Sequence, residues 1–457
     1  MRLSKKRWGI LISSLLSVMI MSCSDDDDPV SATTSSSELD KQLEEALMIA
    51  SEGEGMNFYI FPESDDYSNI PQDPNNLITE EKCRLGKLLF HETGLAVNPK
   101  REEGKHTYSC ASCHNAGSGF QSGRAQGIGE GGLGFGFKGE GRTPHLNYDD
   151  SLLDIQSIRV PTNLNVAYQR NVFWNGQLGA TDANAGTEGL WVEGSASFTN
   201  HLGFLGPETQ AIIGLTEHRM DMTPELAEQY GYKEMFDAAF PDYPESERYT
   251  PVTAGLAIAC YERTLLANRA GFQKWLRGNK AAMSDAEKRG ALIFFGNGEC
   301  SSCHNGPALS TLQFAAIGMG DLTASLVRSG GSSESSLGRG GFTGNDDELY
   351  AFKVPQLYNL KDAPFFGHGS TFTSLRQVIE YKNRGVAQNA NVTEKYLDPR
   401  FKPLNLSEDE VDDLVKFLEY SLWDEELERY IPSSNLSGFC FPNNDEQSKF
   451  DLGCDPQ

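Results

Sequence analysis

Apolar residues recur at helical spacing in a few segments of the chain, and polar or glycine-rich stretches separate them. The segments 78–90 and 283–295 each place apolar residues on one helical face and begin near an N-cap residue, Thr79 and Ser284. A third such segment begins at Ser407. In the last two, a glutamate follows the serine three residues later, which is the pattern of a capping box. No alternating pattern of useful length predicts a strand, so we expect an all-α protein with long loops.

The stretches between these helices are of several kinds. Residues 39–49 form a short amphipathic patch, and residues 251–274 carry a longer helical pattern. Residues 127–141 are rich in glycine, but no strand precedes them, so a mobile loop is a better interpretation than a nucleotide-binding turn. Residues 180–206 are small and polar and look like a long insertion.

A five-residue stretch, Cys-x-x-Cys-His, occurs twice and carries the strongest chemical signal in the chain. Two thiols separated by two residues can both reach the vinyl groups on one edge of a porphyrin, and the histidine that follows can offer a ring nitrogen to iron. A bare cysteine pair could also be half of a zinc site or a redox dithiol. The adjacent histidine, the repetition and the lack of a further Cys-x-x-Cys in the sequence favour two covalently bound haem c groups. The predicted attachment residues are Cys110, Cys113, Cys300 and Cys303, and the predicted iron ligands are His114 and His304.

The order "capped helix, then Cys-x-x-Cys-His" occurs once in each half of the chain, which predicts two tandem c-type cytochrome domains with one haem each. We expect the chain to divide into a lipoprotein signal peptide, a tether or spacer, an N-terminal haem domain, a C-terminal haem domain and a tail. The predicted bounds are 1–22, 23–60, 61–250, 251–430 and 431–457.

The start of the chain is typical of a targeting segment. Basic residues precede an apolar stretch, 8–21, that is short for a bilayer span. The sequence Ile-Met-Ser-Cys, ending at Cys23, resembles a bacterial lipobox, and predicts a lipid on Cys23. The acidic run 24–28 resembles a surface-export signal of some Gram-negative lipoproteins. We therefore expect the periplasmic or cell-surface face of a Gram-negative envelope; the alternative is a plain secretory peptide followed by a solvated tail.

The remaining cysteines of the nine have simpler interpretations. Cys440 and Cys454 bracket a short polar segment and could form a disulfide in an oxidising compartment. Cys83 and Cys260 each fall within a helical apolar pattern, so we expect two buried thiols rather than a bridge.

The formal charge of the chain is −25, from 39 basic and 64 acidic residues. Nucleic acid is therefore not an expected partner, because a polyanion would be repelled. An acidic surface could attract a basic electron-transfer protein, or could simply keep the protein soluble.

Together these residues resemble the bacterial di-haem cytochrome c peroxidases, a family that includes a relative forming a quinone cofactor in a protein precursor. The resemblance runs from about residue 77 to 425. It rests on these motifs in chain order: 85–90, the first Cys-x-x-Cys-His, 159–165, 173–176, the second Cys-x-x-Cys-His, 352–355, 364–375 and the capped last helix. It implies a peroxidatic N-terminal haem and a C-terminal haem that receives electrons from a small cytochrome or a cupredoxin.

The resemblance also implies roles for single residues. Trp174 matches the family tryptophan between the haems, and its alternative is a core aromatic. Glu217 resembles the catalytic glutamate that moves the protons of hydrogen peroxide, and its alternative is a solvated acid. The family glutamate is usually followed by methionine, whereas here His218 follows. Gln210 is a weaker second polar group for that pocket, and His145 is the candidate distal histidine or a loop residue.

The chain departs from the family pattern near the second haem. No methionine stands where the family ligates the C-terminal iron; the position falls on or beside Lys382, with Tyr381 next to it. Either side chain could ligate iron if deprotonated. The alternative is a position that is vacant or filled by His368, whereas Met319 lies in a different segment. The family calcium is doubtful, because Arg159 replaces its usual asparagine.

Three functions remain open at this point. The first is reduction of hydrogen peroxide to water with electrons from a small redox protein. The second is peroxide-dependent oxidation of a protein or organic substrate by the same fold. The third is a non-enzymatic cell-surface electron carrier, which would need neither Glu217 nor Trp174.

Overall fold

Helices dominate the part of the chain that the structure describes, and two small antiparallel strand pairs accompany them there. The computed structural model describes residues 34–323 and 333–454. The helices in this part are α1 (Ser36–Ala50), α2 (Glu80–Phe90), α3 (Gly206–Glu217), α4 (Pro224–Gln229), α5 (Lys233–Ala239), α6 (Glu245–Arg248), α7 (Pro251–Arg263), α8 (Gly271–Leu276), α9 (Asp285–Phe295), α10 (Ser333–Ser336), α11 (Gly338–Thr343), α12 (Leu375–Arg384), α13 (Glu408–Lys416) and α14 (Glu446–Leu452). Strand β1 (Gly132–Leu133) pairs with β2 (Thr143–Pro144), and β3 (Phe314–Ala315) pairs with β4 (Phe352–Lys353). The prediction of a helix-rich protein is confirmed.

The predicted helix starts are where the capping residues placed them. The side chain of Thr79 accepts a hydrogen bond from the backbone N–H of Lys82 at the start of α2. Ser284 forms a reciprocal capping box with the glutamate three residues later, and Ser407 does the same at the start of α13. Each of these contacts satisfies N–H groups that the first turn of a helix leaves unpaired.

Two helix pairs are closely packed, and a glycine allows the close contact in each. Helix α2 packs on α7, and α9 packs on α13. A Cβ atom on Gly86 would lie 1.9 Å from the carbonyl oxygen of Ala257, and one on Gly290 would lie 2.0 Å from that of Asp413. Both glycines lie four residues before a buried phenylalanine of their helix. The repeat seen in the sequence is therefore also a repeat of packing.

The segment predicted as a tether contains helix α1, which packs against α9. Leu39, Leu43 and Leu47 are buried, because the amphipathic pattern supplies one apolar face. On the same helix, the Asp40 carboxylate accepts a hydrogen bond from the indole N–H of Trp275 at 2.8 Å. At least residues 36–50 of the predicted spacer are thus part of the packed structure.

The C-terminal tail lies against the glycine-rich segment 127–141. The carboxylate of Asp445 is 3.1 Å from the buried guanidinium of Arg142, and the Asp451 carboxylate accepts from the N–H groups of Phe135 and Gly136. Most of the segment is buried beneath these contacts, so it is a packed loop rather than a loose one. The predicted disulfide between Cys440 and Cys454 is present.

Other sequence predictions have a simple outcome. Cys83 and Cys260 are buried free thiols, as expected. Residues from Ser36 onward form one unit by contacts, and the division into two haem domains stays a prediction. Within the described residues, no helix combines the length and apolar character that a bilayer crossing requires. The predicted signal peptide and the predicted lipid site at Cys23 lie outside the described residues.

Candidate haem-binding and peroxide site

The two Cys-x-x-Cys-His segments adopt the same local structure. Each forms a single 3₁₀ turn, Cys110–Ser112 and Cys300–Ser302. The backbone N–H of His114 then donates to the carbonyl of Cys110 at 3.1 Å, and that of His304 donates to Cys300 at 2.9 Å. This turn brings each histidine back beside its two thiols, which is the arrangement that haem attachment needs.

The first cavity is the space lined by Cys110, Cys113 and His114, with a volume of about 500 Å³. Ring atom Nδ1 of His114 lies 3.2 Å from the carbonyl oxygen of Phe120, so Nε2 is the nitrogen left for the cavity. Burial lowers the pKa of His114 to about 4, which keeps the imidazole neutral at pH 7. A neutral imidazole is the form that ligates a metal.

The second cavity is the space lined by Cys300, Cys303 and His304, with a volume of about 290 Å³. Nδ1 of His304 lies 3.1 Å from the carbonyl oxygen of Pro355 and 3.2 Å from that of Leu309. Burial lowers the pKa of this histidine to about 4 as well. The two histidines therefore present the same free nitrogen in the same protonation state.

The residues around the two cavities fit haem better than a bare metal. All four thiols are free, and burial raises the pKa of Cys113 and of Cys300 to about 12, so neither is poised as a thiolate. In residues 34–323 and 333–454, no cluster of three or more His, Cys, Asp and Glu side chains could hold a metal ion.

Arg159 adds a second argument for haem, because it favours an occupant that carries negative charge. It lines both cavities and is buried. Its guanidinium donates to the carbonyl of Arg124 at 3.1 Å and to the side-chain oxygen of Gln121 at 2.9 Å, and no carboxylate of the described residues pairs with it. Burial lowers its pKa to about 10, so it stays charged at pH 7. A buried cation without a counter-charge is costly, and the propionate groups of haem would supply that charge.

Trp174 also lines both cavities and is fixed between them. Its indole N–H donates to the carbonyl of Arg159 at 2.7 Å, and its own carbonyl accepts from the N–H of Lys353 at 2.7 Å. Its ring centre lies 6.3 Å from that of His368. The structure thus places this tryptophan in the wall shared by the two cavities.

Helix α3 turns one face toward the first cavity. The residues of α3 that line it are Gln210, Ala211, Ile213, Gly214 and Glu217. Their spacing of three and four residues is that of one helical stripe. A Cβ on Gly214 would find only the amide nitrogen of Gln210 within 4 Å, at 3.8 Å, so the stripe leaves open space beside Glu217.

Helix α12 turns one face toward the second cavity. The residues of its face that line the cavity are Leu375, Val378, Ile379 and Lys382. Burial lowers the pKa of Lys382 to about 8. Tyr381, one residue earlier, points elsewhere: its hydroxyl donates to the carbonyl of Ile317, and its ring packs against Phe372 and Phe401. Adjacent residues lie about 100° apart around a helix, so the stripe takes only one of the two.

The other sequence candidates are placed as follows. Met319 and His368 line the second cavity with Lys382. Nε2 of His368 lies 3.1 Å from the carboxylate of Asp321, and its ring stacks on Phe352 with centres 3.8 Å apart. His145 lies in a turn, where Nδ1 accepts from the N–H of Asn147 at 3.1 Å, and it is not part of either cavity wall as described.

Sequence reasoning noted His218 only as a departure and did not assign Asp154 at all. Both line the first cavity, and Nδ1 of His218 is 2.8 Å from the Asp154 carboxylate. The one available signal was the unusual residue after Glu217; nothing in the sequence pointed to Asp154.

Comparison with known proteins places these observations in a family. The sequence profile described as di-haem cytochrome c peroxidase matches residues 80–281, which include the first Cys-x-x-Cys-His. Over these residues the chain is similar to the di-haem cytochrome c peroxidase family.

Curated relatives in this family extend the match along most of the chain. A cytochrome-c peroxidase, IdrP1, of Denitromonas iodatirespirans is 28% identical over 79% of this chain and 86% of its own length. The methylamine utilization protein MauG of Methylorubrum extorquens is 28% identical over 77% of this chain and 81% of its own. The chain is therefore similar both to peroxidases and to MauG.

A solved structure supports the fold. The crystal structure of a MauG-like protein associated with microbial copper homeostasis superposes with a TM-score of 0.58 at 22% identity. The match covers 82% of this chain and 96% of that protein. The helix-rich architecture with little sheet is thus that of MauG-like di-haem proteins.

Proposed function

We propose that this chain is a di-haem c-type peroxidase that reduces hydrogen peroxide to water with electrons from a small redox protein. The observation that carries this proposal is the α3 stripe, which presents Glu217 and Gln210 to the cavity of the first Cys-x-x-Cys-His. A carboxylate in that wall can move a proton between the two oxygens of a bound peroxide. An electron carrier with two closed sites would have no use for it.

The overall reaction consumes one hydrogen peroxide, two electrons and two protons, and releases two waters. When bound, the haem irons supply the redox chemistry of this reaction. Glu217 accepts a proton from one peroxide oxygen and gives it to the oxygen that leaves. Trp174 offers electrons a path from the second cavity to the first, because it lines both.

Further assignments follow the residues in each wall. His114 and His304 would hold the two irons, and Cys110, Cys113, Cys300 and Cys303 would carry the thioether bonds. Lys382 would be a further ligand at the second haem in preference to Tyr381, because only Lys382 is on the cavity stripe. Calcium has less support, since the Arg159 guanidinium in the wall between the cavities would repel a cation.

We propose an exported protein that is anchored by a lipid on Cys23, on the periplasmic or cell-surface side of a Gram-negative envelope. The support is the basic and apolar start of the chain and the lipobox-like residues before Cys23. The expected electron donors are a small cytochrome or a cupredoxin with a basic docking face, because the chain carries a net charge of −25.

Rapid mixing of the oxidised holoprotein with hydrogen peroxide tests the peroxidase proposal. We expect a fast optical change in the wild type that Glu217→Gln slows by at least about 100-fold. Glu228→Gln, at an exposed glutamate on α4 outside both cavity walls, is the matched control and keeps the wild-type rate. A wild type that does not react would favour the electron-carrier function instead.

A second function has one specific observation in its favour. The α12 stripe presents lysine rather than methionine to the second cavity, which departs from the peroxidase pattern. The same fold could then use peroxide to oxidise a protein or organic substrate through Trp174. Turnover with a reduced small cytochrome separates the two: steady consumption of the cytochrome supports the peroxidase, and a single burst without turnover supports the alternative.

A further inference from the structure

His218 occupies a special position at the end of α3. Its backbone N–H donates to the carbonyl of Gly214 at 3.1 Å, and its carbonyl accepts from the hydroxyl of Tyr108 at 2.8 Å. The backbone is thus held at both sides while the imidazole lines the first cavity next to Glu217. Because His218 follows Gly214 by four residues, it lies on the same side of the helix as the α3 stripe and reaches the cavity.

Asp154 holds the imidazole from the other side. Its carboxylate oxygen Oδ2 lies 2.8 Å from Nδ1 of His218. The backbone of Asp154 is hydrogen-bonded as well. Its N–H donates to the backbone carbonyl of Glu130 at 3.0 Å, and its carbonyl accepts from the N–H of Gly129 at 2.8 Å. A Cβ on Gly129 would lie 2.4 Å from the Asp154 carboxylate, so glycine leaves the room that this carboxylate occupies.

This geometry selects one ring nitrogen for the cavity. A carboxylate at Nδ1 keeps the proton on that nitrogen, so Nε2 is the atom that can exchange a proton with a molecule in the cavity. An aspartate that orients a histidine in this way is a recurrent means of making an efficient acid–base group.

The charges around His218 suit a proton donor near neutral pH. Burial opposes the charged imidazole, but the Asp154 carboxylate outweighs it and the net pKa of His218 is raised. Arg219 acts against this rise and Glu217 supports it. Arg219 is itself paired with the buried Glu130, and His114 faces the same cavity.

We propose that His218, oriented by Asp154, is a second acid–base group of the first cavity, and that His218, in place of Glu217, gives the proton to the peroxide oxygen that leaves as water. Glu217 takes the proton from the other oxygen, and His218 recovers its own from solvent in the same turnover. The sum stays one peroxide, two electrons and two protons to two waters, with the electrons from the donor protein. This inference rests on the proposed peroxidase function.

The test compares oxidised holoproteins carrying His218→Met, Asp154→Asn and the control His201→Gln, whose exposed histidine lies outside both cavity walls as described. Three measurements are made on each: the peroxide reaction rate from pH 5 to 9, the cyanide association rate over the same range, and the resting optical and paramagnetic-resonance spectra. Hydrogen cyanide must lose a proton to bind, so its association reports the base without turnover.

We expect His218→Met to slow the peroxide reaction by about 100-fold and to remove one ionisation from its pH profile, with unchanged resting spectra and a cyanide association rate close to that of the wild type, because Glu217 remains as the base. Asp154→Asn should have a smaller effect and move that ionisation to lower pH. His201→Gln should match the wild type.

Other results would overturn the inference in distinguishable ways. Unchanged pH profiles in His218→Met would show a structural role only. Altered resting spectra would show that His218 ligates iron. If Glu217→Gln abolishes the peroxide reaction while His218→Met does not affect it, the peroxidase function stands and this inference fails; if the wild type itself does not react, both fail.

Discussion

The two cavities are built from the same parts and differ in the wall that faces the predicted haem. Each has a Cys-x-x-Cys-His turn, wall residues from a glycine-containing helix pair and a stripe of lining residues from one further helix. The α3 stripe ends in Glu217 beside the His218–Asp154 pair, whereas the α12 stripe ends in Lys382 among aromatic side chains. The two Cys-x-x-Cys-His turns are thus alike, whereas one cavity wall ends in acid–base side chains and the other ends in a lysine.

The largest expected effect concerns Lys382. If Lys382 ligates the second iron, Lys382→Ala should remove that ligand completely and change the low-spin signal of one haem, while the other stays as in the wild type. Optical and paramagnetic-resonance spectra of the oxidised protein measure this. Tyr381→Phe is the matched control and should leave the spectrum unchanged, because its hydroxyl is bonded to Ile317. An unaltered spectrum in Lys382→Ala would turn attention to Met319 and His368 in the same wall.

Trp174 tests whether the two cavities work together. Trp174→Phe should keep the reaction with peroxide in the first cavity but slow steady-state turnover with a reduced cytochrome by at least an order of magnitude, since the indole lies in the shared wall. Trp191→Phe, at a buried tryptophan outside both walls as described, should behave as the wild type. Equal turnover in the two variants would argue that electrons do not pass through Trp174.

Replacing the contact glycine by alanine should destabilise the α2–α7 pair and the α9–α13 pair to a similar extent. Gly86→Ala and Gly290→Ala each place a Cβ about 2 Å from a backbone carbonyl oxygen of the partner helix. We expect each to lower the free energy of unfolding by about 1–3 kcal/mol, which exceeds the helix-propensity gain of alanine. Urea unfolding of the holoprotein measures it. Gly189→Ala, with open space around its Cα, is the control. If only one of the two glycine variants lost stability, the two helix pairs would not be equivalent in packing.

The smallest effect is the pH dependence of the His218–Asp154 pair. The raised pKa of His218 contributes stability that is complete below its ordinary value of 6.5 and is lost as pH rises through the raised value. The lowered pKa of Asp154 contributes stability above its ordinary 3.8 and loses it as pH falls further. Asp154→Asn should therefore lower the thermal unfolding midpoint more at pH 5.5 than at pH 9. The corresponding difference in the free energy of unfolding between the two pH values should be less than about 1 kcal/mol. An equal deficit at both pH values would mean that the pair adds no charge-dependent stability.

Local features could be predicted well from the sequence. The caps at Thr79, Ser284 and Ser407 and the disulfide between Cys440 and Cys454 depend on residues that are close along the chain, and all are present. The predominance of helix follows from the same local patterns. The haem attachment residues stay predictions, although the two turns bring each histidine beside its thiols.

Contacts between distant segments were not predictable in the same way. Asp154 meets His218 across 64 residues, and Asp445 meets Arg142 across 303. Neither pair has a spacing or a pattern that marks it, because any acidic residue could serve if the fold brought it there. The packing of α1 on α9 is of this kind too, since an amphipathic patch shows that a face is buried but not against what.

By itself, the sequence determined which residues can carry thioether bonds and iron, where the main helices begin, and which family the chain resembles. Only the tertiary structure decided that Lys382 rather than Tyr381 lines the second cavity, that Trp174 and Arg159 belong to both cavities, and that His218 has an acidic partner in the first. The physical reason is that attachment and capping depend on chemistry within a few residues. The direction of a side chain and its charged neighbours depend instead on how helices far apart in the chain are packed together.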